Sequence, residues 1–169
     1  MNISTDISLK QYTTMQVGGS ARFLTEATTA EEIPQIYHDA QSRQLPVFVL
    51  GGGSNVIAKD EGFEGVVLLN RIKGFEAVSE DERSVTLRVG AGEVWDEVVA
   101  RTVDMGLSGI EAMSAIPGTA GAAPVQNVGA YGQEVADVLT GLEAYDSLTD
   151  RVVTLSAAEC GFSYRYSIF

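Results

Sequence analysis

The chain has 169 residues, of which 45% are hydrophobic and 20% are charged, so it is long enough to bury a core. This composition excludes a disordered tail, a collagen-like fibre and a disulfide scaffold. Eleven Lys and Arg oppose 23 Asp and Glu, and the formal net charge of -12 excludes binding of nucleic acid or anionic membranes through bulk charge. A phosphate ligand would need backbone N–H groups and a few placed cations.

The first half of the chain predicts a helix between short strands. Thr29 and Glu32 have capping-box spacing, and the apolar positions that follow predict a helix that ends near Gln44. Residues 46–50 predict a fully buried strand, and residues 66–69 predict a second one.

The second half predicts hairpins and another helix. Residues 75–78 and 84–89 alternate with period two and predict a hairpin, and residues 93–105 predict a helix that Gly106 ends. Residues 142–145 and 151–155 predict a further hairpin. The predicted fold class is therefore α+β, with a boundary between subdomains near residues 70–74.

A glycine-rich turn follows the first predicted buried strand directly. It consists of Gly51, Gly52, Gly53, Ser54 and Asn55. Glycines let a ligand approach the main chain, so consecutive N–H groups of this turn could hold a pyrophosphate, with side-chain donors from Ser54 and Asn55. The Walker pattern is excluded because no Lys directly follows the last glycine. The Rossmann pattern is excluded because Val56 stands where it requires Gly or Ala. A tight turn without a ligand is the alternative.

A second glycine-rich stretch covers residues 116–132 and is almost free of charge. Pro124 and the glycines exclude a long helix, and the small side chains would let the main chain approach a planar cofactor. Gln126, Asn127 and Tyr131 would be the polar contacts. A buried crossing of small residues between two subdomains is the alternative.

Three separated motifs, in order and in spacing, resemble the UDP-N-acetylenolpyruvoylglucosamine reductases. The motifs are the glycine turn, the stretch 116–132 and the terminal Tyr164-Arg165-Tyr166-Ser167-Ile168-Phe169. The opening Tyr12-Thr13-Thr14 and Val17-Gly18-Gly19 also look like that family's N-terminal stretch. The resemblance implies a two-subdomain FAD-binding fold of the vanillyl-alcohol oxidase (PCMH) type, with residues 1–71 as the first subdomain and residues 72–169 as the second.

The resemblance also implies roles for individual residues. The turn residues would hold the pyrophosphate of a non-covalent FAD, and Arg165 would be the catalytic arginine beside the flavin and the enolpyruvyl group. The remainder of the cofactor would be lined by Pro117, Gly118, Gly121, Ala122, Asn127, Ala130, Tyr131 and Gly132. NADPH would supply the hydride. Arg165 suits the catalytic role, because a fixed cation stabilises the negative charge that develops at the substrate carboxylate during hydride transfer.

This chain departs from the family pattern in two places. Tyr166 stands where many members have Asp, and the chain ends at Phe169, so the substrate domain that the resemblance implies, with its serine proton donor and later glutamate, is absent from this sequence. We therefore expect the FAD-binding portion of a longer reductase of peptidoglycan synthesis. We expect this portion to bind FAD more weakly than the complete enzyme and not to turn over UDP-N-acetylglucosamine enolpyruvate.

Two alternatives stay open on the sequence. A flavin oxidase of the PCMH type would often attach FAD through His or Cys, but His38 and Cys160 lie away from the glycine-rich motifs. A non-catalytic flavin- or nucleotide-binding module is the second alternative. One His and one Cys make a protein metal site a poor interpretation. The lone Cys160 and the absence of a signal-peptide pattern predict a cytoplasmic protein. The resemblance implies a small-molecule substrate as the partner, the net charge and the short apolar runs argue against nucleic acid and a membrane, and we expect a monomer.

Overall fold

The computed structural model describes residues 3–169, which form two compact units. The first unit extends to Ile72 and also contains Ser147–Arg151, and the second comprises Lys73–Asp146 and Val152–Phe169. Both units combine strands with helices or helical turns, which confirms the predicted α+β class. Within residues 3–169, no helix is long and apolar enough to cross a membrane.

The first unit is built on a four-stranded sheet. Its elements are β1 (Ile3–Ser8), β2 (Ser20–Ala27), α1 (Glu32–Ser42), β3 (Val47–Leu50) and β4 (Phe63–Asn70). The strand order is β1-β2-β4-β3. β1 is antiparallel to β2, whereas β4 is parallel to both of its neighbours, β2 and β3.

The central strand β4 places apolar side chains on both faces of this sheet. Val67 and Leu69 join one buried cluster, and Val66 and Leu68 join another, which includes Ile36 from α1. A strand that is buried on both faces has a continuous apolar sequence, and this explains why residues 66–69 predicted it correctly.

The expected full burial of residues 46–50 is wrong. β3 is an edge strand that pairs only with β4, and the side chains of Phe48 and Val49 are 40% and 47% exposed. The apolar run alone does not reveal whether a strand lies at the edge or in the centre of a sheet. β1 and β2 were not among the predicted elements.

The N-terminus of α1 is close to the predicted one. The Glu32 carboxylate accepts hydrogen bonds from the backbone N–H groups of Thr28 and Thr29, at 2.6 and 3.1 Å, and these bonds hold its pKa below the ordinary value. Pro34 lies in the first turn, where a helix has no internal acceptor for the missing N–H.

The second unit contains three strand pairs and two helices. Its elements are β5 (Phe75–Glu80), β6 (Val85–Val89), α2 (Trp95–Asp104), β7 (Gly129–Ala130), β8 (Gln133–Glu134), α3 (Val135–Val138), β9 (Gly141–Asp146) and β10 (Arg151–Ser156). The pairs are β5 with β6, β7 with β8, and β9 with β10. Both predicted hairpins and the predicted second helix are confirmed, although α2 is two residues shorter at its start.

The core of the second unit forms around Trp95, the first residue of α2. Trp95 packs with Val99, Met113, Val128 and Val135, and its indole N–H donates to the Met113 carbonyl oxygen at 3.2 Å. This core packs residues 110–113, which precede the second glycine-rich stretch, and residues 128–135, which contain its end, against α2.

Candidate functional site

The glycine turn follows β3 and is in contact with residues 12–14, an N-terminal segment of the first unit. The Thr14 N–H donates to the Gly53 carbonyl oxygen at 3.1 Å. Gly53 has φ +70°, and a Cβ at this position would overlap the carbonyl oxygen of Tyr12. Internal packing therefore already requires glycine at position 53, whether or not a ligand lies nearby.

A cleft of about 240 Å³ opens beside this turn. It is lined by Gln11, Tyr12, Thr13, Thr14, Gly51, Gly52 and Arg71. None of these lining residues is acidic, and Arg71 contributes a positive charge. Of the predicted turn residues, Gly51 and Gly52 line the cleft directly, whereas Gly53, Ser54 and Asn55 follow along the same turn.

The pattern of parallel strands explains why Arg71 lies close to the glycines. Leu50 pairs with Leu69 at the ends of β3 and β4, so the residues that follow these strands leave the sheet at the same edge. Sequence reasoning did not identify Arg71, because no local motif marks it and only the pairing of β3 with β4 places it there. Residues 12–14 were marked in the sequence only by their resemblance to the N-terminal stretch of that family.

The first part of the second glycine-rich stretch forms backbone hydrogen bonds with the residues just before α2. The Ala120 N–H donates to the Glu93 carbonyl oxygen, and the Gly121 N–H donates to the Ala91 carbonyl oxygen, both at 2.9 Å. A Cβ at Gly121 would lie only 2.6 Å from the Cβ of Ala91. Close packing within the unit thus accounts for one of the small residues that the sequence analysis assigned to a cofactor.

Asp96 helps to fix the chain just before this stretch. Its carboxylate accepts hydrogen bonds from the Ala115 N–H at 2.6 Å and from the Ser114 hydroxyl at 2.9 Å, and the Ala115 N–H in particular lowers the pKa of Asp96. Ala115 has φ +62°, a left-handed conformation that costs a non-glycine residue about 1 kcal/mol. The carboxylate therefore stabilises an unfavourable turn that leads into Ile116 and Pro117.

A second cleft, of about 410 Å³, brings five of the predicted site residues together in the second unit. Asn127, Ala130, Tyr131, Gly132 and Arg165 line it, together with Gly129, Gln133, Glu134, Asp137 and Tyr164. Pro117, Gly118, Gly121 and Ala122 are not among its lining residues. Tyr131 is 96% exposed, so its ring is available to a ligand.

Arg165 lies at the tip of a tight two-residue turn. Ser163 and Tyr166 exchange two backbone hydrogen bonds of 3.1 Å, and Arg165 between them has φ +54°. Tyr166 contributes its backbone to this turn, and its side chain is 58% exposed. The turn is therefore closed by main-chain bonds and does not depend on the Asp that many members of the resembled family have at position 166.

Asn127 connects this turn to the rest of the cleft. Its side-chain N–H₂ group donates to the Glu134 carboxylate at 2.7 Å and to the Ser163 carbonyl oxygen at 3.1 Å, and its amide oxygen accepts the Ala136 N–H at 3.0 Å. Asn127 is 1% exposed. A hydrogen bond from the Ser167 hydroxyl to the Val125 carbonyl oxygen, 2.7 Å long, fixes the other end of the Arg165 turn.

Comparison with known proteins identifies the family. A family model described as an FAD binding domain matches residues 21–156. The chain belongs to this FAD-binding family. Within it, the chain is similar to UDP-N-acetylenolpyruvoylglucosamine reductases, with 48% identity over 161 residues to the protein of Salinispora arenicola and 48% over 165 residues to that of Thermobifida fusca. The resemblance seen in the motifs is thereby confirmed.

These alignments cover most of this chain but less than half of each relative. They include 95% and 97% of the chain, and 44% and 46% of the two relatives. The crystal structure of the Thermus caldophilus UDP-N-acetylenolpyruvylglucosamine reductase matches with a TM-score of 0.78 and 32% identity, covering 100% of this chain and 57% of that chain.

Two more distant structures establish the fold. The 6-hydroxy-D-nicotine oxidase of Arthrobacter nicotinovorans matches 94% of this chain with a TM-score of 0.68 and 20% identity, and the match covers 36% of that chain. p-Cresol methylhydroxylase matches 98% of this chain, and 32% of its own, with a TM-score of 0.60 and 16% identity. The predicted PCMH-type fold is confirmed.

Proposed function

We propose that this chain is the FAD-binding part of a UDP-N-acetylenolpyruvoylglucosamine reductase. The observation that carries the proposal is the likeness of the entire chain to the Thermus caldophilus reductase, in both sequence and structure. The first unit, approximately residues 1–71, would bind the pyrophosphate of FAD. The second, approximately residues 72–169, would bind the remainder of the cofactor and carry Arg165.

The cleft at the glycine turn suits a diphosphate. Its lining residues include two glycines, two threonines and one arginine, and they include no carboxylate that would repel an anion. In a chain with net charge -12, a cleft lined by an arginine and by no acidic residue favours an anionic ligand at this place over most others. Gly51 and Gly52, and the adjoining Gly53, Ser54 and Asn55, would surround the phosphate groups.

The second cleft offers one cation, Arg165, to the anionic end of a substrate. Its two acidic lining residues have partners within the chain, because the Glu134 carboxylate accepts a hydrogen bond from the Asn127 side chain and the Asp137 carboxylate accepts the Glu134 N–H. FAD would supply the transferable hydride, delivered to it from NADPH. Arg165 would hold the substrate carboxylate and stabilise the negative charge that grows there in the transition state. Its guanidinium stays charged and can grip a carboxylate with two hydrogen bonds.

The product in this proposal is UDP-N-acetylmuramate, made in the cytoplasm for peptidoglycan synthesis. FAD would be bound without a covalent link, and the complete enzyme would be a monomer. The 169 residues alone should bind FAD without catalysing the reaction, because the resemblance assigns the proton donor and much of the UDP-sugar site to positions outside this sequence.

The first test is the retention of FAD. The purified chain is mixed with FAD and desalted, the flavin absorbance that remains is recorded, and melting is measured with and without FAD. We expect retained flavin and a higher melting temperature, because a ligand that binds only the folded state stabilises it. Acid precipitation should then release the flavin into the supernatant.

Three other results would contradict parts of the proposal. Flavin that stays with the acid pellet would indicate the covalent linkage of many PCMH-type oxidases. Equal binding of ADP and FAD would indicate a nucleotide-binding module that makes no use of the flavin ring. Failure to retain FAD, both in this chain and in a chain extended beyond Phe169, would exclude the FAD site.

A further inference from the structure

Arg71 lies where two parallel strands of the first unit end. Gly51 follows the last residue of β3, and Arg71 follows the last residue of β4. The carboxyl ends of adjacent parallel strands are where open α/β sheets bind ligands. The backbone of Arg71 is fixed there by a 2.8 Å hydrogen bond from its N–H to the Ala27 carbonyl oxygen.

The guanidinium of Arg71 is held only weakly within the chain. Its Nε is 3.9 Å from the Glu26 carboxylate, and both side chains are partly exposed, at 38% and 54%. Exposed ion pairs at such distances contribute little to stability. Arg71 can therefore turn toward an anion in the cleft at little cost.

A buried hydroxyl adjoins the same cleft. Thr13 is 6% exposed, and its Oγ1 has no hydrogen-bond partner among the described residues. Buried hydroxyl groups without a partner are uncommon, because desolvation without a hydrogen bond is unfavourable. Thr13 is one of the residues that line the cleft, so its hydroxyl is a candidate donor to a ligand there.

We infer that Arg71 and Thr13 bind the diphosphate of FAD, Arg71 as the charged partner and Thr13 as a hydroxyl donor. This inference rests on the proposed function and adds two residues that the glycine motif does not contain. A guanidinium can form two parallel hydrogen bonds to phosphate oxygens, which a lysine cannot do. The glycine turn would then shape the site, and Arg71 would supply the charge.

The test compares affinities of wild type, Arg71→Met and Arg71→Lys for FAD, ADP and riboflavin, measured by titration calorimetry. Arg71→Met should weaken FAD and ADP binding by about tenfold, the usual effect of losing a charge-assisted hydrogen bond. Arg71→Lys should recover part of the loss. Riboflavin, which has no phosphate, should bind both variants as it binds wild type.

Arg22→Met is the matched control. Arg22 is another partly exposed arginine of the first unit, 3.8 Å from the Glu64 carboxylate, so its replacement makes the same change in net charge away from the cleft. It should leave the affinity for FAD unchanged. An equal loss in both variants would attribute the effect to net charge and overturn the inference.

Thr13→Val tests the hydroxyl, with Thr13→Ser as the variant that keeps it. Without FAD, Thr13→Val should melt at or above the wild-type temperature, because it removes a buried group that has no partner. The rise in melting temperature caused by FAD should be smaller in Thr13→Val than in wild type or Thr13→Ser. An unchanged rise in Thr13→Val would remove Thr13 from the site.

The outcomes separate this inference from the proposed function. Wild type and Arg71→Met that bind FAD equally would overturn the inference and leave the proposed function standing. Binding of ADP that depends on Arg71, in a chain that does not retain FAD, would support the diphosphate site and contradict the flavin assignment. Failure to bind either FAD or ADP, both in the wild-type chain and in a chain extended beyond Phe169, would overturn both.

Discussion

Asn127 shows how a single residue can occupy a predicted cofactor site and hold that site together. Its side-chain amide forms three hydrogen bonds within the second unit, to Glu134, Ala136 and Ser163. Since Ser163 closes the turn that carries Arg165, Asn127 is a positioning residue for that arginine. A contact between FAD and the Asn127 side chain, as the resemblance implies, remains a prediction.

Replacement of Asn127 by Asp should destabilise the second unit. The variant removes both N–H donors and places a carboxylate beside that of Glu134, so we expect a loss of about 3 kcal/mol in unfolding free energy near pH 7. Two adjacent carboxylates raise the pKa of one of them, and stability lost at neutral pH should return as the pH falls and that group binds a proton. Urea unfolding at neutral and mildly acidic pH measures both effects.

Asn70→Asp is the matched control for this change. The Asn70 side chain uses its Oδ1 to accept the Ile72 N–H at 3.1 Å, a bond that an aspartate can also accept. We therefore expect unfolding free energies near that of wild type. An Asn127→Asp variant that behaves like Asn70→Asp would show that the Asn127 donors contribute little.

Two of the turn glycines with a left-handed backbone, Gly53 and Gly106, differ in what surrounds them. Gly53, after β3, has φ +70°, and a Cβ there would overlap Tyr12. Gly106, after α2, has φ +73°, and a Cβ there would meet no atom within 4 Å. The backbone strain of an alanine is thus nearly the same at both positions, and only Gly53 adds a steric conflict.

We expect Gly106→Ala to cost about 1 kcal/mol, the usual strain of a left-handed alanine. Gly53→Ala should cost several times more, because the segment 12–14 would have to move away from the glycine turn. It should also weaken FAD binding, since that segment lines the cleft. Equal losses of unfolding free energy in the two variants would show that residues 12–14 can move away from the glycine turn at little cost.

Elements with strong local signals were the ones that the sequence could predict. Apolar periodicity or capping residues within the element itself predicted α1, β4, the β5–β6 hairpin and α2, and the structure confirms all of them. The exposure of β3 depends on which strands pair with it, and β1 contains only two apolar residues, Ile3 and Ile7. The same distinction applies to the site: the glycine turn has a motif, whereas Arg71 comes to the cleft only through the pairing of β3 with β4.

For the molecule as a whole, the excess of carboxylates determines how its stability responds to acid. Backbone or side-chain hydrogen bonds to the ionised form lower the pKa of several of them, among them Glu31, Glu32, Asp81, Glu93, Asp96, Glu111 and Glu159. The folded state therefore releases these protons more readily than the unfolded state. Their stabilising effect is present above the unfolded pKa values and is lost as the pH falls through the lower folded values.

Glu93 is the carboxylate of this group that links two elements of the second unit. It accepts the Gly74 N–H at 2.9 Å, just before β5, and the Lys73 ammonium at 3.2 Å, and the Gly74 bond is the main cause of its lowered pKa. We expect the unfolding free energy to fall as the pH drops below 4.5, the ordinary value for glutamate. Glu93→Gln should be less stable than wild type at neutral pH and should lose less stability in acid.

Glu97→Gln on α2 provides the control, because it makes the same charge change at an exposed position. In wild type, added salt should also raise stability near neutral pH by screening the repulsion within a chain of net charge -12. Urea unfolding from about pH 7 to about pH 3, at low and high salt, separates these two effects. If Glu93→Gln and wild type lost stability equally in acid, the Gly74 bond would not be a source of the acid sensitivity, and general charge repulsion would have to account for it.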